Sequence, residues 1–257
     1  MSKFVLSDQD RAWIDARADA AHRSCKLIVR ASNGLLLPVH LTAFDIEAFS
    51  FEAFATNDIA CPPAVERSVR KRQAEFFHGR AMARKALEAL NISAAEIPAG
   101  TSRQPIWPSG VVGSISHTHR FAAAVALSAE TCAGVGIDME HIAGADACAA
   151  LSATAMHEQE LRYLQRLEST FPFNVLLTAV FSAKESFFKG AFSAVGRYFD
   201  FSAAQVSMLD IERGVIQLRL TETLCERFVG NQICDVGVGF VDPDTVLTYF
   251  VWQRPVA

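Results

Sequence analysis

Behind Pro62-Pro63, apolar residues recur at helical spacing: Val65, Val69, Phe76, Phe77, Met82, Ala86, Leu87 and Leu90 predict one long helix over 64–90. A more apolar helix is expected over 175–192 and a charged amphipathic one over 157–169. Elsewhere the period changes to two. Strands are expected over 26–30 and 35–44 around a turn at Ser32-Asn33-Gly34, then over 111–117, 121–127 and 135–140. Four more are expected over 205–209, 215–220, 233–241 and 246–252, with turns at Gly214 and Asp242-Pro243-Asp244 and a short helix between them. Residues 98–110, rich in Pro, Gly, Ser and Thr, read as loop, and the Ala-rich 141–155 as loop with a short helix. Residues 45–61 mix Phe with acidic residues without a clean period, and the polar residues 1–24 allow a short helix from Ser7.

These elements make an α+β chain of two lobes, an N-terminal lobe over 1–130 and a C-terminal lobe over 131–257, parted at the turn-rich stretch 128–134. Each reads as one long helix packed on a small, mostly antiparallel sheet. The likeness of the halves suggests pseudo-symmetric lobes with a site in the cleft between them, a common place for ligands. There is no internal sequence repeat.

Half of the 257 residues are apolar, enough for a sizeable core, and the net charge is −4. That balance speaks against a surface given over to nucleic acid, so any polyanion site must be local. Cys25, Cys61, Cys132, Cys148, Cys225 and Cys234 form no CxxC pair and no zinc spacing, and are read as reduced thiols of a cytoplasmic protein. The first residues carry no apolar signal core, and no run of about eighteen apolar residues occurs, so no membrane partner is expected.

Chemistry concentrates in two stretches. In Gly136-Ile137-Asp138-Met139-Glu140 a strand places Asp138 and Glu140 on one side. Two carboxylates so close repel unless a proton or cation lies between them, and an all-oxygen pair suits Mg²⁺ with substrate phosphates. In Phe181-Ser182-Ala183-Lys184-Glu185-Ser186-Phe187-Phe188-Lys189 a helix sets Lys189 one turn beyond Glu185 on an apolar background. This pattern fits either an intrahelical salt bridge or a site. The 64–90 helix carries Arg67, Arg70, Lys71, Arg72, Arg80, Arg84 and Lys85, mostly a solvated face. Arg72 and Arg80 lie about two turns apart on one side, a span that grips separate phosphates of one ligand. Ser116-His117 ends a strand, where it either meets a ligand or caps a turn; no nucleophile and acid accompany it as a triad, and His119 competes.

The two signatures, read with Arg70-Lys71-Arg72-Gln73-Ala74-Glu75-Phe76, Gly79-Arg80-Ala81, Arg103-Gln104-Pro105-Ile106-Trp107-Pro108 and Gly113-Ser114-Ile115-Ser116-His117, resemble the ordered motifs of the 4′-phosphopantetheinyl transferases. They look like the branch that includes the enterobactin-synthase component. The resemblance spans about residues 64–200 and implies a monomer of two lobes using coenzyme A and Mg²⁺, or Mn²⁺ in its place. Its partners would be apo acyl or peptidyl carrier proteins, with no nucleic acid. Position by position, it implies Asp138, Glu140 and Glu185 as metal ligands, Glu185 also as general base, and Lys184 and Lys189 beside the pyrophosphate. It further implies Arg72, Arg80 and Arg103 for coenzyme A, with Ser116 and His117 near its phosphates and Glu185, Lys189 and His117 as the catalytic set. Phe181 stands where many members have Trp, and Arg103 where some have Lys. The alternatives are another Mg²⁺-dependent transferase using coenzyme A, or a nucleic-acid module built on the basic helix.

Overall fold

The computed structural model describes residues 24–93 and 96–254. The helix expected from Ser7 lies outside the described residues. Contacts divide the described chain into two compact units, one of residues 24–29, 36–133 and 253–254, the other of residues 30–35 and 134–252.

In the first unit, β1 (Ser24–Arg30), β2 (Leu36–Ala43), β3 (Val111–His117) and β4 (Phe121–Ser128) form a sheet in the order β1-β2-β4-β3. Strand β4 runs antiparallel to both neighbours and is buried from Phe121 to Leu127. Its run of alanines leaves room for a helix to lie close. That helix buries Met82, Ala83, Ala86 and Leu87 against Ala124 and Ala126. The continuous helix expected over 64–90 is in fact two, α2 (Pro63–Glu66) and α3 (Arg70–Glu88), after a short α1 (Ala53–Thr56) that the sequence pattern did not reveal. The break is held by side chains. Ser68 Oγ donates to the Val65 carbonyl at 2.6 Å, and Gln73 Nε2 donates to the carbonyls of Glu66 at 2.7 Å and Ser68 at 3.1 Å. Such local bonds compete with the helical ladder. Val69 is therefore extended and 72% exposed instead of joining the buried stripe. The irregular phenylalanines of 45–61 fill the space under α3, with Phe49 and Phe54 centred 5.6 and 5.4 Å from Phe77.

In the second unit, β5 (Cys132–His141), β6 (Ala204–Asp210), β7 (Val215–Leu220), β8 (Ile233–Asp242) and β9 (Thr245–Gln253) form a sheet in the order β5-β9-β8-β7-β6. The pairs from β6 to β9 are antiparallel. Helices α4 (Ala145–Ala155), α5 (Glu158–Leu167) and α6 (Phe173–Val195) complete it. Stretch 141–155 is more helical than its pattern implied, because alanine favours helix even where little is buried. The short helix expected between the last strands does not form. Residues 221–232 make tight turns, with Leu224 N–H donating to the Phe228 carbonyl at 2.8 Å and Asn231 at φ 67°. Core packing explains this: Phe228 sits 5.5 Å from Phe187 and 5.1 Å from Trp252, ring centre to ring centre. Burying such a ring contributes about 1.5–3 kcal/mol, more than one turn of helix offers.

Gly134 and Gly136 on β5 and Gly190 on α6 together set the distance between the two elements. A Cβ at Gly136 would lie 2.5 Å from the Gly190 nitrogen and would overlap the Ser186 carbonyl oxygen. Only glycine permits this approach, which brings the next strand residues within reach of side chains on α6. Among the described residues, no helix is long and apolar enough to cross a membrane.

Candidate active site

Asp138 projects from β5 and is almost wholly buried. Lys189 on α6 donates from Nζ to Asp138 Oδ1 at 2.6 Å and to the Ile137 carbonyl at 3.3 Å. Ser182, nearly two turns earlier on α6, donates from Oγ to Asp138 Oδ2 at 2.8 Å. Both oxygens of one carboxylate are thus held from one helix. Glu140, two residues on and therefore on the same side of β5, has its pKa pushed up to about 8 by burial and then by Asp138 and Glu185, against the pull of Lys189. Burial also raises Glu185, with Lys189 opposing and Asp138 reinforcing the shift. The structure therefore brings Asp138, Glu140, Glu185 and Lys189 into one electrostatic group.

Among the described residues, no three His, Cys, Asp or Glu side chains converge as a ready metal cage. The group nevertheless suits a hard cation. Its donors are all carboxylate oxygens, burial raises the proton affinity of Glu140 and Glu185 so that positive charge nearby would be favourable to their ionised forms, and an ammonium already rests on Asp138 Oδ1.

Lys184 goes elsewhere. Its side chain is 1% exposed and its Nζ lies 2.8 Å from Glu160 Oε2, itself 2% exposed. It also donates to the carbonyls of Ala155 at 2.8 Å and Phe201 at 3.4 Å. All three ammonium hydrogens have protein acceptors, so the expected contact with pyrophosphate gives way to an internal one. Burial holds the Lys184 pKa below the usual lysine range, opposed by Glu160. Glu160, which the sequence reading missed, also accepts from the backbone N–H of His157 at 2.9 Å and of Val206 at 2.7 Å. Its third position in α5 was the readable signal, since a glutamate there reaches back to cap the helix.

The first unit carries a cavity of about 380 Å³ whose lining includes Arg72, Glu75, Phe76, Arg80, Arg103 and His117. Arg72 donates to His117 Nε2 at 3.1 Å. A guanidinium only donates, so Nε2 accepts and Nδ1 carries the hydrogen that faces Glu75 Oε2 at 3.7 Å. Glu75 also lies 3.9 Å from Lys71 and 4.0 Å from Arg72, and burial raises its pKa against their pull. It is a second residue the sequence reading passed over, though its i+3 and i+4 spacing from two cations was legible. Arg80 stacks on the Phe76 ring at 4.5 Å, and its buried Nε has no hydrogen-bond partner among the described residues. Burial, then the neighbouring Arg72, pushes its pKa down to about 10. A desolvated cation of this kind awaits an anion. Arg103 stands at the rim in a left-handed conformation, φ 66°, in a tight turn where its N–H donates to the Gly100 carbonyl at 2.9 Å. Ser116 does not line the cavity. Side chains alternate along β3, so Ile115 and His117 face the cavity while Ser114 and Ser116 are buried on the other side.

Comparison with known proteins gives the class. Residues 62–127 match the model of the 4′-phosphopantetheinyl transferase N-terminal domain, and residues 134–237 that of the 4′-phosphopantetheinyl transferase superfamily. Enterobactin synthase component D of Salmonella typhi is 35% identical over 222 residues, covering 84% of this chain and 89% of that protein. The chain belongs to the 4′-phosphopantetheinyl transferase superfamily and is an enzyme of that type, with the α+β architecture expected of it. Two further relatives carry the same description: 4′-phosphopantetheinyl transferase Svp of Streptomyces mobaraensis, 34% identical over 61% of this chain and 62% of that protein, and 4′-phosphopantetheinyl transferase PptT of Mycobacterium tuberculosis, 31% identical over 56% and 62%.

Proposed function

We propose that this enzyme moves the 4′-phosphopantetheine arm of coenzyme A onto a serine hydroxyl of an apo acyl or peptidyl carrier protein, acting as a cytoplasmic monomer with Mg²⁺, or Mn²⁺ in its place. The observation that carries this reading is the group formed by Asp138, Glu140, Glu185 and Lys189, with the ammonium 2.6 Å from Asp138. Asp138, Glu140 and Glu185 would hold the divalent ion, which when bound supplies positive charge against the pyrophosphate. The serine oxygen attacks the β-phosphorus, its proton passes to Glu185, and the bond to the bridging oxygen breaks. Adenosine 3′,5′-bisphosphate leaves with that electron pair. Glu185 suits the base because burial has made it more basic than an ordinary carboxylate. Lys189 would donate to the phosphate oxygen on which charge builds. Arg72, Arg80, Arg103 and His117 would receive the phosphates of coenzyme A, Arg80 gaining an acceptor for its buried Nε. Lys184 has no direct contact in this scheme and serves by holding α6 in place through Glu160.

The test is intact-protein mass spectrometry of an apo carrier protein incubated with this enzyme, coenzyme A and Mg²⁺, beside an Asp138→Ala control. A gain of one phosphopantetheine that the control lacks supports the reading. No gain on several unrelated carriers, with coenzyme A still bound, would point to a different coenzyme A transferase.

A further inference from the structure

Behind the carboxylate group lies a chain of buried hydroxyls. Ser182 Oγ is 2.8 Å from Asp138 Oδ2 and 2.9 Å from Thr248 Oγ1, and Thr248 Oγ1 is 2.6 Å from Ser186 Oγ. Ser182, Ser186 and Thr248 are fully buried, the two serines one turn apart on α6 and the threonine on β9 beside β5. Their donor directions follow from valence. A carboxylate paired with Lys189 only accepts, so the single hydrogen of Ser182 goes to Asp138. Ser182 must then accept from Thr248, and Thr248, its hydrogen committed, must accept from Ser186. Three dipoles therefore point the same way, toward Asp138 Oδ2, in a low-dielectric interior where each polarises the next.

We propose that Ser182, Thr248 and Ser186 are positioning residues for the divalent-ion site, fixing the rotation and charge of Asp138 so that Oδ1 is presented to a cation. The inference rests on the metal-site reading of Asp138, Glu140 and Glu185 given above. Groups that orient a metal ligand from behind matter nearly as much as the ligand, with typical losses of ten- to a hundredfold in affinity. Thr248 touches neither of the other two carboxylates through any of these bonds, so its effect would arrive only through the chain.

The experiment measures Mn²⁺ affinity by electron paramagnetic resonance of the free ion, in the presence of coenzyme A, for the wild-type enzyme and for Thr248→Val, Thr248→Ser, Ser182→Ala and Ser186→Ala. Thermal unfolding and coenzyme A binding in EDTA are recorded for each. Thr248→Val and Ser182→Ala should weaken Mn²⁺ about tenfold. Thr248→Ser, which keeps the hydroxyl, should stay within about twofold, and Ser186→Ala should fall between, with coenzyme A binding in EDTA unchanged throughout. A chain that merely fastens α6 to β9 predicts a lower melting temperature with unaltered Mn²⁺ affinity, and that result overturns the inference. Should Thr248→Val fail to fold, Ser186→Ala decides, since it removes only the far donor. If the wild-type enzyme binds no Mn²⁺ beside coenzyme A, the metal reading itself falls and this one with it. If the wild type binds and every variant matches it, only the positioning role is lost.

Discussion

Lys189 Nζ lies 2.6 Å from Asp138 Oδ1, with the carboxylate buried and the ammonium only partly so. A lysine at the edge of a buried carboxylate can hold the site together while it is empty and turn to an incoming phosphate when it is filled. Lys189→Met should therefore lower kcat by about 10²-fold, the usual result of deleting one donor to developing charge, with a smaller rise in KM for coenzyme A. Lys189→Arg should recover part of the loss. Steady-state rates at saturating carrier protein check this, and equal kcat for Lys189→Met and wild type would remove the assigned role.

The raised proton affinity of Glu140 gives the metal-free enzyme a pH dependence of known sign. Its folded pKa, about 8, stands above the ordinary 4.5, so between those values the folded state holds a proton that the unfolded state releases. The stabilisation is complete below about pH 4.5 and is lost as pH rises through about 8. In EDTA, stability should fall between pH 5.5 and pH 8.5, whereas Mg²⁺ with coenzyme A, by binding ionised carboxylates, should flatten or reverse that slope. Urea denaturation at the two pH values, with and without the ion, makes the comparison. A Glu140→Gln protein should have a shallower slope in EDTA, Glu185 supplying what remains.

Lys184 and Glu160 separate structure from chemistry. Their side chains are 1% and 2% exposed and 2.8 Å apart, so removing either leaves the other charged and unpaired in the core. Lys184→Met or Glu160→Gln should each destabilise by about 3–5 kcal/mol, and the two combined should restore much of it, because glutamine can still accept from the backbone N–H groups that Glu160 serves. Where the variants remain folded, coenzyme A affinity should be unchanged, measured by titration calorimetry at reduced temperature. A Lys184→Met enzyme of normal stability and much weaker coenzyme A binding would return the residue to the phosphate site.

How much of this was legible in the sequence depended on the range of the interaction. The pairing of Asp138 with Glu140 is a two-residue period, and Arg72 with Arg80 a helical one, so both could be read from spacing. Gly136, one of the glycines that let β5 approach α6, sits in a visible motif, but its reason, the clash of any Cβ with Ser186 and Gly190, is a contact across fifty positions or more. The family resemblance implies Lys184 beside pyrophosphate, yet adjacent helical residues diverge by about 100°, so Lys184 points away from Glu185 and meets Glu160 on another helix. Ser116 failed for the matching reason on a strand, where alternation separates it from His117. The break before Arg70 was hidden because Val69 fits the apolar stripe; side-chain bonds from Ser68 and Gln73 decided otherwise.

Arg80 offers the clearest trade between stability and binding. It is buried against Phe76, its Nε has no hydrogen-bond partner among the described residues, and burial pushes its pKa down to about 10, all marks of a desolvated cation. Replacing it with Met keeps much of the packing on Phe76 and removes the desolvated charge. The Arg80→Met apo-enzyme should thus be more stable than wild type by about 1–3 kcal/mol, by analogy with apolar replacement of buried ions. Its affinity for coenzyme A should fall about ten- to a hundredfold, the worth of a hydrogen bond to a charged group. Ligand-induced thermal shifts separate the two effects. Saturating coenzyme A should raise the melting temperature of wild type more than that of the variant, so the order of stability narrows or inverts when ligand is added. A variant that is less stable than wild type when empty yet gains the same shift with coenzyme A would show that Arg80 is a packing residue whose charge is already answered within the protein.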